Sequence, residues 1–369
     1  MTFRRIISQK LPLPSQFQGS LARSSHGLAV IGNKAYIFGG EFQPRTPVDA
    51  NLYVYDLQGK LIHWCPNPGF ICFLNLLMLS HIEDNSINVI SPSESTPSPR
   101  VGATLSAIGS KIYLFGGRGG KGMAPLESVL YAFDTISQNW EVVEVKNGDL
   151  PEPRSFHAMT ASNSDIFVFG GCPSQGRLND LLRFSISTGA WSILPTPPVT
   201  PRGGAAMAYH DNKVYVHGGF NGYEQSDLVV YDISSCKWTQ ALPKPDTPVP
   251  GARSVHAIVP LAAKDAESDR LLILFGEGDP SALGHDGAGN FWGDIWTVTL
   301  PKTLNRAPGS SLLVNYEQIA LEGSQGNSES VPGPRGWFPA HSWNDKVLVS
   351  GGLSSSNERL SDLYLLSLD

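Results

Sequence analysis

The chain has 369 residues, a net charge of −6, 38 Gly, 28 Pro and eight Trp, with only 16% charged side chains. That composition predicts many short strands joined by tight turns and excludes a helical bundle or a disordered chain. No basic block or stripe is present to neutralise phosphates, so nucleic acid is excluded as an expected partner.

The first residues, Met1-Thr2-Phe3-Arg4-Arg5-Ile6-Ile7, turn polar too soon for the apolar core of a signal peptide. The four cysteines, Cys65, Cys72, Cys172 and Cys236, have neither CxxC spacing nor the density of a disulfide-stapled domain. A reducing, cytoplasmic location is therefore the expectation.

From residue 23 onward one unit recurs six times. It begins with Pro-Arg or a variant and continues through a small or His-bearing strand and a polar turn. An aromatic strand closing in Gly-Gly follows, then an Asp/Leu-Tyr strand and usually a Trp. The first copy is Arg23, His26–Val30, Tyr36–Gly40, Leu52–Asp56 and Trp64. The second is Pro99-Arg100, Tyr113–Gly117, Tyr131–Asp134 and Trp140. The third is Pro153-Arg154, Phe167–Gly171, Leu181–Phe184 and Trp191; the fourth is Pro201-Arg202, Tyr215–Gly219, Leu228–Asp232 and Trp238. The fifth has Ala252-Arg253, His256, Leu272–Glu277, Asp294–Trp296 and a strand around Tyr316. The sixth has Pro334-Arg335, His341, Val347–Gly352 and Asp362–Leu365, and stops without a fourth strand.

Each unit reads as four strands, and alternation within them, as in Lys213–His217, agrees. A sheet of that size cannot bury both faces alone, so the units are expected to pack radially into a ring. The missing last strand is expected from Phe3–Ile7, closing the ring between the two ends of the chain. One all-β domain over 1–369 follows. The interval from Trp64 to Arg100 is about twenty residues longer than its counterparts, which marks an insertion or irregular loop at about 65–90. Its apolar run Phe70–Leu79 is half of the ~20 residues needed to span a bilayer, so no membrane span is expected. An inserted loop or retained non-coding sequence is one reading; a lid or membrane-touching segment is the other.

In a four-stranded radial unit, the connection after the second strand emerges on one rim. Glu41, Arg45, Arg118, Arg177, Asn221 and the stretch Glu277, Asp279, His285 are thereby expected to share that face. In the fifth unit a Glu stands where the second glycine of the pair is expected. Arginines beside a Glu/Asp/His set suit an anion next to a divalent metal. Arg154, Arg202, Arg253 and Arg335 recur with the repeat and read as salt-bridge or carbonyl partners between units. His157, His256 and His341 read as core hydrogen-bonders at matching strand positions. For Glu277, Asp279 and His285 the competing reading is a polar turn capped at Asp279-Pro280.

The five Gly-Gly pairs in register with the fifth-unit turn, together with the Asp-Leu-Tyr and Trp positions, resemble the kelch repeat of β-propeller proteins, which implies a six-bladed propeller of four-stranded antiparallel blades. Several turns carry a narrower resemblance: Gly39–Phe42, Val48–Asp56, Phe115–Arg118, Pro153–Met159, Arg177–Asn179, Pro201–Ala205, Gly219–Gly222 and Pro334–Trp337. These look like the plant specifier proteins, the nitrile-, epithio- and thiocyanate-forming proteins of glucosinolate breakdown. The resemblance implies Fe(II) bound by Glu277, Asp279 and His285, and a sulfated thiohydroximate held by Arg118 and Arg177. It also implies a lyase reaction releasing sulfate and a nitrile. One departure is plain. The family spaces its three ligands four residues apart, whereas Asp279 follows Glu277 by two and His285 follows it by eight; Asp286 is an alternative ligand. The rival expectation is a non-enzymatic module that holds a protein partner on the same rim.

Overall fold

The structure, a computed structural model, describes residues 5–58, 87–261, 268–302, 311–327 and 330–369. Apart from the helix Ser15–Leu21 and short 3-10 turns, the regular elements described are strands. Among the described residues no helix is long and apolar enough to cross a membrane.

The strands pair as successive antiparallel sets. Gly27–Ile31, Lys34–Phe38, Leu52–Asp56 and Ile87–Ile90 make the first. Thr104–Ile108, Lys111–Phe115, Leu130–Asp134 and Asn139–Val142 make the second. The third is Ala158–Ala161, Asp165–Gly171, Leu178–Ser185 and Ala190–Ile193. Ala206–His210, Lys213–Phe220, Glu224–Asp232 and Lys237–Pro243 form the fourth. The fifth is Ala257–Leu261, Ser268–Leu274, Ile295–Pro301 and Leu312–Gly323. The sixth is Ala340–Trp343, Lys346–Ser354 and Arg359–Leu368, against which Arg5–Lys10 lies antiparallel.

Most of the stretch expected to be inserted, 59–86, lies outside the described residues, as do Phe3, Arg4 and Trp64. Its end does not fit that expectation: Ile87–Ile90 is the fourth strand of the first unit, paired with Leu52–Tyr55. The long strand Leu312–Gly323 joins units sideways. Its first residues run parallel to Ala241–Pro243 of the fourth unit and its last run parallel to Arg5–Ser8.

The middle strands are apolar on both sides because each sheet lies between two neighbours. Val214 and Val216 pack against Phe167 and Phe169 of the third unit, while Tyr215 on the opposite face packs with Ile258 and Ile273 of the fifth. Each successive pair of units shares such a core, including the sixth with the first, where Leu348 and Leu365 meet Ile37 and Tyr53. Burying one such large apolar side chain contributes roughly 1.5–3 kcal/mol.

The recurring arginines Arg23, Arg100, Arg154, Arg202, Arg253 and Arg335 are almost completely buried. Each sends a guanidinium nitrogen to a carbonyl at the end of its own unit's second strand: Gly39, Gly116, Gly170, Gly218, Phe275 and Gly351. Four add a two-pronged grip on an aspartate of the same unit: Asp180, Asp227, Asp294 and Asp362. Their side chains are thus satisfied within a unit, and what links units is backbone, above all the carbonyl of each. It accepts from the second glycine of the preceding pair, as in Gly40 N to Arg100 O at 2.9 Å.

That link explains the Gly-Gly pairs. A Cβ on Gly39 or Gly218 would fall 2.7 or 2.4 Å from the neighbouring arginine's carbonyl oxygen, and both residues have positive φ. It also corrects the alignment of the fifth unit. Gly276, whose N–H donates to Arg335 O at 2.9 Å, is the second glycine; Phe275, at φ 51°, takes the place of the first. Glu277 therefore follows the pair, as Glu41 does in the first unit.

The histidines divide. His157 and His256 are buried, with Nε2 at 2.6 Å from Thr104 Oγ1 and 2.8 Å from His217 Nδ1. Burial holds His157 at about 3, so it meets Thr104 as a neutral ring. His26 occupies the same position in the first unit and meets Ser350. In the sixth unit that position is Phe338, three residues after Arg335, and His341 lies further along the inner strand.

Candidate rim site

Two residues after each recurring arginine the chain turns through positive φ: Ser25, Gly102, Phe156, Gly204, Val255 and Trp337, at 57°, 65°, 52°, 62°, 45° and 59°. Each N–H donates to the carbonyl of the member before it, and Ser25 donates to Trp337, so six bonds of 2.8–2.9 Å form a closed cycle. The inner strands leave this cycle around an axial channel of about 430 Å³. Phe156 and Trp337 roof it, their rings 5.5 Å apart and edge to face.

One step outward stand the residues that follow each glycine pair: Glu41, Arg118, Cys172, Phe220, Glu277 and Leu353. The first five are bridged antiparallel to Ser24, Val101, Ser155, Gly203 and Ser254. A cavity of about 390 Å³ opens here, lined by Arg45, Arg118, Gly122, Met123, Phe156, Cys172 and His285. Arg118 lies over the Phe156 ring, 5.3 Å from its centroid, and its Nε donates to Ser155 Oγ at 2.7 Å. Burial lowers its pKa, and the neighbouring Arg45 lowers it further. Two guanidinia at one cavity with an aromatic floor favour a small anion carrying an apolar group.

Arg177 is not among the residues lining that cavity. It stacks on Phe220, 4.8 Å from the ring centroid; partial burial raises the Cys172 thiol's pKa, and Arg177 and Arg118 both draw it back down. Beside Arg177 lies Glu224, both of whose oxygens are buried without a hydrogen-bond partner in good geometry. Burial pushes its carboxyl up to about 8; the Ser254 hydroxyl and Arg177 oppose this, while Glu277 and Asp279 add to it.

The fifth-unit loop carries the three expected metal ligands, and their side chains go separate ways. Glu277 is buried, and its Oε1 accepts the Gly289 N–H at 3.1 Å. Burial raises it to about 7 against those backbone bonds and nearby His285. Asp279 is exposed and accepts from Asn290 Nδ2 at 3.3 Å. The turn Gly284–Asp286 carries His285 over the mouth to the first unit, where Nε2 lies 2.9 and 3.0 Å from the two oxygens of Glu41. Asp286, the alternative ligand, lies at the rim with its Oδ1 3.8 Å from Arg45 Nε. Among the described residues no three His, Cys, Asp or Glu side chains gather closely enough to hold a metal ion. The donor chemistry suits Fe(II), but this arrangement of the three residues does not.

Sequence reasoning placed Arg45, Arg118 and His285 on one rim, and the structure brings these three to one cavity. It gave no role to Phe156, Trp337, Met123 and Cys172. The usable signal for the first two was their register, two residues after a repeat arginine.

Comparison with known proteins adds the following. A family model described as the KLHDC2/KLHL20/DRC7 Kelch-repeats domain matches residues 64–276. The chain is 29% identical, over 94% of its length and 93% of the relative's, to an N-(sulfonatooxy)prop-2-enimidothioate sulfolyase of Thlaspi arvense. It is 37% identical to a Rab9 effector protein with kelch motifs of Mus musculus, over 29% of this chain and 28% of that protein. Kelch domain-containing protein 3 of Bos taurus is 26% identical over 56% of this chain and 55% of its own length. A solved structure titled "Structure of YjhT" superposes with a TM-score of 0.62 at 17% identity, covering 97% of this chain and 96% of that one, a likeness of fold.

Proposed function

The chain belongs to the kelch-repeat family, and from that premise we propose a six-bladed β-propeller, closed by the strand Arg5–Lys10, whose rim cavity serves a specifier-type lyase. Its substrate class is a small sulfated anion of the thiohydroximate O-sulfate kind. The observation that carries this reading is the meeting of Arg45 and Arg118 at a cavity floored by Phe156. It is supported by near full-length similarity to a sulfolyase.

Each part of the cavity has a task in that chemistry. Arg45 and Arg118 hold the sulfate and take up the charge that grows on it as the N–O bond breaks, in a setting where partial burial strengthens the attraction; the C–S bond breaks as well, so the products are sulfate, a nitrile and a neutral sulfur atom. The Phe156 face and Met123 receive the apolar side of the substrate and exclude water from it. Arg177, stacked on Phe220 outside the cavity, is not assigned to the sulfate. The three residues expected to hold Fe(II) are divided among different partners.

A second reading has its own observation. Phe42, Tyr223, Leu283 and Trp292 are large, exposed and carried by the loops that follow glycine pairs. Such a rim also suits a protein partner. Calorimetric titration with inorganic sulfate, followed by nitrile analysis after anaerobic incubation with Fe(II) and a thiohydroximate O-sulfate, separates the two. The lyase reading expects sulfate binding and product from the parent. It also expects Arg118→Ala to lose roughly 1.5–3 kcal/mol of sulfate affinity. A parent that binds no sulfate and forms no nitrile leaves the interaction module as the function.

A further inference from the structure

We infer that Glu41 withholds His285 from metal binding: while the fifth-unit loop is latched across the mouth, Fe(II) is not held through Glu277, Asp279 and His285. The inference rests on the proposed function only for the identity of the expected ligands. Its evidence lies in how the first and fifth units meet.

Glu41 is 1% exposed, yet it is fully engaged as an acceptor. The Arg45 backbone N–H donates to Oε2 at 2.7 Å, and Arg359 Nη2 and Ser24 Oγ each donate to Oε1 at 3.4 Å. His285 Nε2 sits between the two oxygens. A nitrogen facing a carboxylate this closely carries the hydrogen, so Nε2 has no lone pair to offer a metal, and Nδ1, which keeps one, is fixed in place by that same bond. Leaving that partner would cost the buried carboxylate its contact with the imidazole and leave Oε1 with only the two 3.4 Å contacts.

Other contacts hold the same posture. Asn357 Nδ2 donates to Asp286 O at 3.2 Å, and the His285 ring lies 5.2 Å from Trp337 and 5.7 Å from Phe156. Turning the imidazole toward Glu277 would break the Glu41 bond and uncover both rings. Glu277 is meanwhile tied to Gly289, where a Cβ would fall 2.3 Å from Glu277 Oε1, so the loop is closely fitted to this arrangement. Metal binding by the three residues and latching by Glu41 are therefore alternatives that compete for one side chain.

Anaerobic calorimetry with Fe(II) alone tests this on the parent, Glu41→Gln, His285→Ala and the double variant. The latch predicts weak uptake by the parent and no further loss in His285→Ala. It predicts uptake at least ~10-fold tighter in Glu41→Gln, and reversal of that gain in the double variant. Tight uptake by the parent that His285→Ala abolishes would overturn the inference. So would Glu41→Gln binding no better than the parent, and weaker binding there would make Glu41 an orienting carboxylate for a ligating imidazole. If Glu41→Gln does not fold, the parent and His285→Ala decide it: equal uptake upholds the latch, and unequal uptake overturns it. Sulfate titration of the same parent reports separately on the lyase reading.

Discussion

Arg253 grips Asp294 with two parallel bonds, Nη1 to Oδ1 at 2.8 Å and Nη2 to Oδ2 at 3.1 Å, beneath the ring of Trp292. Because the arginine is fully buried, the carboxylate is its counter-charge rather than a surface ornament. Asp294→Ala is expected to lower stability by about 3–5 kcal/mol, the cost of stranding a buried charge. Glu127→Ala is expected to cost under ~1 kcal/mol, since that acid is half exposed and 3.4 Å from Arg100. Urea midpoints of the two variants check the contrast.

Glycines at positive φ are expected to separate into two classes. Gly218→Ala places a Cβ 2.4 Å from the Arg253 carbonyl oxygen, whereas Gly176→Ala, at φ 76°, meets nothing within 4 Å. The second change costs roughly 1 kcal/mol of backbone strain. The first adds a clash with rigid backbone and is expected to cost ~2 kcal/mol more. Equal melting temperatures for the two would show that the neighbouring arginine yields.

The pH dependence of stability has a definite sign. Glu224 is raised to about 8 in the folded protein, well above an ordinary carboxyl, so between those values the unfolded chain ionises first. Its contribution is present below the ordinary carboxyl pKa and is lost as pH rises toward 8. Glu224→Gln is expected to flatten that decline and to be more stable than the parent at pH 8 by roughly 1–2 kcal/mol, after allowance for solvent at a partly buried group. Glu277, raised to about 7, acts in the same direction and leaves part of the slope. Denaturant titrations at pH 5 and pH 8 measure the difference.

Deletions at two edges are expected to be costly. Removing residues 5–10 strips Arg359–Leu368 and Leu312–Gly323 of the strand between them and takes the fully buried Ile6 out of its core. Several kcal/mol should be lost. Removing Ile87–Ile90 uncovers the strand Leu52–Asp56 and opens an edge to association, so soluble yield should fall. Full yield from the second deletion would mean that residues supplied from elsewhere take its place.

The repeat was legible because its chemistry is stereotyped. An arginine buried under an aromatic ring, an aspartate to hold it and a glycine pair beneath the next unit's carbonyl recur at near-constant spacing. The fifth unit was misaligned by one residue because Phe275-Gly276 offers a single glycine. Only the backbone bond from Gly276 to Arg335 identifies which position is filled. His341 matches His157 and His256 in residue type alone, and the equivalent position is Phe338. Least legible was the contact of His285 with Glu41. They are 244 residues apart, and the meeting depends on the path of a loop whose length and turn no spacing rule encodes.

The closed cycle of backbone bonds at the channel mouth works like a fixed frame with six interchangeable panes. Its bore is set by main-chain geometry, and its covering is set by what stands at Ser25, Gly102, Phe156, Gly204, Val255 and Trp337. A Cβ on Gly102 would collide with the Phe156 ring, and one on Gly204 with the Val255 side chain, so Phe156 and Val255 each overlap a glycine behind them. Proline is barred from every position because each gives up its N–H. Replacing Phe156 by glycine would therefore uncover the place it overlaps and leave the frame standing, which makes this aperture a natural point for redesigning what the rim admits.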